Sequence, residues 1–249
     1  MADDDRLLVD LVVAAPPPVV WAALREPEQI ARWFGWNDGG LAAEIELIFV
    51  TEPTADDQAL TLTWPDGDRI VLEPHEVGTR LLLSRAGHTG HFDGAYDAVD
   101  EGWISFTHQL RFALERHPNQ HRRTISAHGL DLGPLDDPLM ARLGLRLLGD
   151  DPVGGRYEVT GPNGFGISGE VSFQTDLQLG LTVEQEGDAL LVVARTPPAA
   201  APPDGAVTLV LSTFGLDDAR FAEAQRRWSA WWSTGEGDPD ADPAPAAEG

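Results

Sequence analysis

The chain has 249 residues, 17 basic against 41 acidic, and a net charge of −24. Such a field repels phosphate backbones and anionic headgroups, so the expectation is no nucleic-acid partner and no membrane partner. All the bases are arginine and cysteine is absent, which removes lysine chemistry, thiol nucleophiles, disulfides and thiolate metal sites.

Apolar residues make up 42% of the chain, enough for two halves to bury a core each. The start, Met1–Arg6, is acidic, and no apolar run approaches membrane-spanning length. A cytoplasmic protein is expected.

Leu7–Ala14 reads as a buried strand ended by Pro16–Pro18, which can open a helix because proline lacks only an amide that would go unpaired there. Val19–Leu24 continues that helix. Pro27 starts a second, Glu28–Phe34, stopped by Gly35, and the pair forms a V over a sheet. Alternation predicts strands over Ala43–Val50, with Ile45, Leu47 and Phe49 on one face, and over Ala59–Trp64. Trp64–Gly67 (Trp-Pro-Asp-Gly) is a turn, followed by strands Ile70–Pro74 and Thr79–Arg85. Glu101-Gly102-Trp103 opens a helix with Trp103, Phe106, Leu110 and Leu114 along one stripe.

Pro118–Arg123 is a polar connection. Beyond it, Thr124–Leu132 reads as a strand and Asp136–Leu148 as a helix capped by Asp136 or Asp137, with Pro138 in its first turn. Strands are expected near Arg156–Thr160, Phe165–Thr175, Gln178–Glu184, Ala189–Arg195 and Val207–Thr213. Asp217 caps a last helix with Phe221, Ala224, Trp228 and Trp231 on one stripe. From Glu236 onward the chain is acidic, rich in proline and alanine, and expected to be disordered.

Two stretches repeat one pattern: Gly78–Gly87 before the Trp103 helix, and Gly205–Gly215 before the Trp228 helix. Aligning Leu81–Gly87 with Leu209–Gly215 puts a strand ending in glycine ahead of a tryptophan-bearing helix each time. A diverged duplication follows from that alignment.

Ala15–Leu24, Pro27-Glu28 and Ala31–Gly35 resemble the opening of the SRPBCC (START-like) superfamily. Leu72–Pro74, Gly78-Thr79 and Gly102-Trp103 extend the likeness to the branch named for the activator of heat-shock protein 90 ATPase, over residues 7–117. The resemblance implies an α+β protein of two tandem helix-grip (START-like) domains, each an antiparallel sheet wrapped around a long C-terminal helix over a cavity. The expected boundaries are 1–118, 119–235 for a diverged second domain in contact with the first, and an acidic tail over 236–249.

His88 and His91, with Asp93, are the one cluster resembling a metal site, but no local third or fourth ligand accompanies them, and solvated loop histidines are the simpler reading. No serine sits in a Gly-x-Ser-x-Gly elbow, and glycine-rich Gly161–Gly169 opens no helix, so it reads as a hairpin turn. No catalytic residue, metal or cofactor is expected. Trp36, Phe49, Trp64, Phe92, Tyr96 and Trp103, with His88 and His91 at the lip, are the candidates for lining a cavity. Trp36 and Trp64 are expected to be partly exposed, and Trp103 to pack helix on sheet. Trp228, Trp231 and Trp232 are expected not to share one stripe, so that one of them meets the other domain or a partner. The leading expectation is a non-enzymatic protein binding a hydrophobic small molecule or a protein. The alternatives are a co-chaperone-like stimulator of a chaperone ATPase and a cyclase- or hydrolase-like enzyme using His88 or His91 as base.

Overall fold

The computed structural model describes residues 6–36, 39–86, 96–134, 139–145, 152–160 and 164–233. His88, His91, Phe92 and Asp93, the caps Asp136 and Asp137, Pro138, and the tail from Glu236 lie outside the described residues.

In chain order the first half contains β1 (Arg6–Val13), α1 (Pro17–Arg25), α2 (Pro27–Ile30) and α3 (Leu41–Ile45), which runs on as a π-helix over Glu46–Thr51. Then come β2 (Thr54–Asp56), β3 (Thr61–Thr63), β4 (Arg69–His75), β5 (Gly78–Arg85) and the long α4 (Ala98–Arg116). The second half contains β6 (Arg122–Asp131), α5 (Leu139–Arg142), β7 (Arg156–Thr160), β8 (Gly166–Gln174), β9 (Gln178–Val183), β10 (Ala189–Thr196), β11 (Ala206–Phe214) and α6 (Asp218–Ser233).

Two antiparallel sheets result, in the orders β1-β5-β4-β3-β2 and β6-β11-β10-β9-β8-β7. In each, the last strand lies between the first and the one before it, and a long helix follows. The repeated sequence pattern therefore has a topological counterpart. It begins both times at a glycine of positive φ. A Cβ on Gly78 would sit 2.1 Å from the Val13 carbonyl, and one on Gly205 2.6 Å from that of Thr196, so only glycine admits the close approach.

One predicted element is of the wrong type. Ala43–Val50 is helical, not extended. Ile45 and Phe49, four residues apart, are buried, while Leu47, which alternation would bury with them, is 51% exposed. Helix formers Leu41, Ala42, Ala43 and Glu44 lead the segment, a signal that outweighed three residues of apparent alternation. The turn at Trp64–Gly67 closes as expected, Gly67 N–H donating to the Trp64 carbonyl at 2.9 Å with Gly67 at φ +94. The α4 helix starts earlier than Glu101, because Asp97 caps it by accepting from the amides of Val99 and Asp100. Thr160 pairs with Gly166, so β7 and β8 run antiparallel on either side of residues 161–165.

The halves share their core. Phe173, Leu190, Val192 and Phe214 of the second sheet belong to one apolar cluster with β1, β4, β5, α1 and α4. Their strand neighbours Leu191 and Val193 face the other way, into a second cluster with α5 and α6. Alternation along β10 thus buries both faces of the second sheet, which lies between α4 and α6. Helix α4 in turn packs between the two sheets.

Candidate functional site: two cavities flanking one helix

Aromatic side chains gather where α2, the π-helical segment and α4 meet. Trp33, Phe34 and Phe49 pack edge to face, with centroids 4.8 to 5.7 Å apart. Trp64 and Trp103 extend the group at 5.2 Å from each other, and Phe106 bridges Phe34 to Trp36. Edge-to-face contacts of this kind stabilise by more than buried area alone.

Against that cluster lies a cavity of about 330 Å³, walled by Phe34, Trp36, Ile48, Trp64, Trp103 and Phe106, with Glu44, Glu52 and Asp66 at its rim and buried Asp68 also lining it. Volume and apolar lining are those of a small-molecule site. Trp64 is buried rather than partly exposed, because its indole N–H donates to the Ile48 carbonyl at 2.7 Å. Phe49 is fully buried behind the wall. The Trp36 indole nitrogen is shielded and has no hydrogen-bond acceptor among the described residues.

On the other side of α4 a second cavity of about 250 Å³ opens toward the second sheet. Polar side chains stand among its apolar ones: Tyr96, Glu101, Ser105 and Gln109 from the helix side, His128, Arg195, Thr196 and Thr208 from the strands, beside Phe106, Val192 and Val210. Gln178 donates to the Glu101 carboxylate at 2.6 Å and accepts from the Ser105 hydroxyl. Burial pushes the Glu101 carboxyl above the usual range, against the Gln178 bond that holds it down. Trp36, Ala98, Gly102 and Phe106 line both cavities. A Cβ on Gly102 would meet only the Phe106 ring, at 3.7 Å.

Below the cavities Arg122 joins the halves. Fully buried, it donates to the carbonyls of Phe34 (2.9 Å) and Gly35 (2.8 Å), to Gln109 Oε1 (2.7 Å) and to Ser212 Oγ (2.9 Å). Burial lowers its pKa to about 9. It holds the turn that presents Trp36. Nearby, His108 stacks on Phe173 with centroids 4.0 Å apart, and His117 on Phe214 at 4.2 Å.

Of the residues singled out in the sequence, Trp36, Trp64 and Trp103 meet in the first cavity and Tyr96 in the second. Trp228, Trp231 and Trp232 do not divide between two faces. Residues i, i+3 and i+4 fall within one helical stripe, and all three are buried in the α6 core cluster at 0, 0 and 6% exposure. Trp228 donates to buried Glu186 at 2.8 Å. Glu101, Gln109, Arg122 and His128 were missed, because their roles depend on a second sheet across α4, which helical periodicity does not reveal.

Neither the family models nor the curated proteins contain a match. Among solved structures, DynU16, a protein in the dynemicin biosynthetic locus, is 19% identical, with 94% of this chain and 98% of that one covered and a TM-score of 0.34. The di-domain ARO/CYC protein StfQ from the steffimycin biosynthetic pathway is 13% identical (92% and 94% covered, TM-score 0.35). The di-domain ARO/CYC protein BexL from the BE-7585A pathway is 14% identical (96% and 99% covered, TM-score 0.34). No described helix is long and apolar enough to cross a membrane.

Proposed function

We propose that the chain binds a hydrophobic small molecule in the cavity beneath α4, holding it without performing chemistry on it. The observation that carries this reading is the 330 Å³ cavity with Trp36, Trp64 and Trp103 in its wall. On this reading residues 1–118 and 119–235 are tandem helix-grip units of the SRPBCC kind, the second diverged. The first encloses the ligand and the second, through α4 and Arg122, braces it. Gly102 supports the reading because glycine within a helix costs roughly 0.5–1 kcal/mol relative to alanine, and here it leaves space in both cavities. Titration with the neutral fluorophore N-phenyl-1-naphthylamine tests it. Saturable binding at one equivalent is expected, lost in Gly102→Leu while the circular dichroism spectrum stays unchanged. Failure of the unaltered protein to bind saturably would overturn the reading.

A cyclase- or hydrolase-like activity is the second reading, and one observation favours it. Glu101, inclined by burial to hold its proton, lines the second cavity with Ser105 and His128. Its test is turnover of an aromatic ester or polyketone that Glu101→Gln abolishes; turnover untouched by that change would remove Glu101 from the account.

A further inference from the structure

The rim of the first cavity says which charge its occupant carries. Four carboxylates line the cavity, and no basic side chain lines it among the described residues. Two arginines stand behind it, but both are engaged. Arg85 holds Asp68 at 2.6 Å and Asp100 at 3.1 Å, and Arg6 also binds Asp100. These two cations offset Asp68 and Asp100, so the negative charge of Glu52 and Asp66, both exposed at the mouth, is met by no described arginine. The floor suits the same sign. Trp64 and Trp103 stand 5.2 Å apart with ring planes inclined at 63°, and Trp36 closes a further side. Aromatic faces are negative and attract a cation within about 6 Å of the ring centre, most strongly when it is indole. A neutral apolar ligand would gain nothing from the acidic rim, and an anion would be repelled by rim and floor together.

Resting on the small-molecule reading above, we propose that the cavity selects an organic cation: an aromatic or alkyl ammonium whose apolar body fills the tryptophan-lined space and whose charged nitrogen lies under Glu52 and Asp66. The two features act on different parts of one molecule, so each can be removed separately.

Three probes sharing a naphthyl body test the proposal by calorimetry on the full chain: 2-naphthylmethylammonium, 2-naphthylmethanol and 2-naphthoate. The ammonium should bind about tenfold tighter than the alcohol at low salt, with the carboxylate weakest. Half-molar salt should shrink that preference, since both acids are exposed. The double variant Glu52→Gln/Asp66→Asn should cut the preference at least threefold and leave alcohol binding unchanged. Equal binding of ammonium and alcohol would overturn the choice of cation while leaving a hydrophobic site in place. So would a preference that survives the double variant, which would trace it to the whole −24 charge. If no probe binds, the small-molecule reading itself fails.

Discussion

Arg122 carries a positive charge into the interior where no described carboxylate meets it; four neutral oxygens hold it instead. Removing it strands two carbonyls and the Gln109 oxygen, so Arg122→Met should lower unfolding free energy by about 3 kcal/mol, read from denaturant midpoints. The Trp36 turn, which its guanidinium pins, should loosen with it. His108 makes a pH prediction. Burial, helped by nearby Arg111, lowers its pKa from the ordinary 6.5 to about 3, so the folded chain keeps it neutral where the unfolded chain protonates it. The unfolded state therefore binds one more proton between pH 6.5 and about 3, and stability falls as pH falls through that window. His108→Phe preserves a ring to stack on Phe173 and removes the proton. Across pH 6.5 to 4 the variant should lose less stability than the parent, with a difference approaching about 1.4 kcal/mol per pH unit. Parallel stability curves would rule the effect out. Neither residue could be singled out from sequence: an arginine in a polar connection and a histidine flanked by Thr107 and Gln109 on a helix look solvated until a second sheet covers them.

Among the elements, those with strong local chemistry were the legible ones. Proline before α1, the Trp64–Gly67 turn, Asp217 accepting from the Arg220 amide ahead of α6, and period-two strands such as β5 all formed as the residues dictate. The π-helical segment did not, because a short run of alternating apolar residues satisfies both periods and only burial decides between them. The difference matters for the site, because the segment supplies Ile48 to the cavity wall and its C-cap is Glu52 at the mouth. The α6 tryptophans teach the complementary lesson, that three aromatics at i, i+3 and i+4 make one face. Trp228→Ala should cost about 3–5 kcal/mol by opening a large hole and leaving Glu186 short of a donor. In α4, Gly102→Ala should raise stability by roughly 0.5–1 kcal/mol, because its Cβ meets only the Phe106 ring, at an ordinary contact distance of 3.7 Å. A fall in melting temperature would mean the helix needs glycine for its backbone rather than for the room it leaves.

On the scale of the molecule, the repeated order of sheet and long helix was visible in the sequence and the sandwich was not. Each copy announces a strand, a glycine and a tryptophan helix. Nothing in either copy announces that α4 of the first is also covered by the sheet of the second. The apolar cluster running from β1 through α4 to Leu190, Val192 and Phe214 ties the halves together. Thermal unfolding should accordingly be one cooperative transition by calorimetry, whereas two resolved peaks would show halves that merely touch.

The central claim is that a ligand sits among particular tryptophans, and the chain's eight indoles provide the readout. With 15N-labelled protein, each indole N–H gives a signal that single substitutions assign. Adding 2-naphthylmethylammonium should shift the signals of Trp36, Trp64 and Trp103 together and leave Trp228, Trp231 and Trp232 in place. Shifts confined to the α6 tryptophans, or none in the three that wall the cavity, would contradict the account.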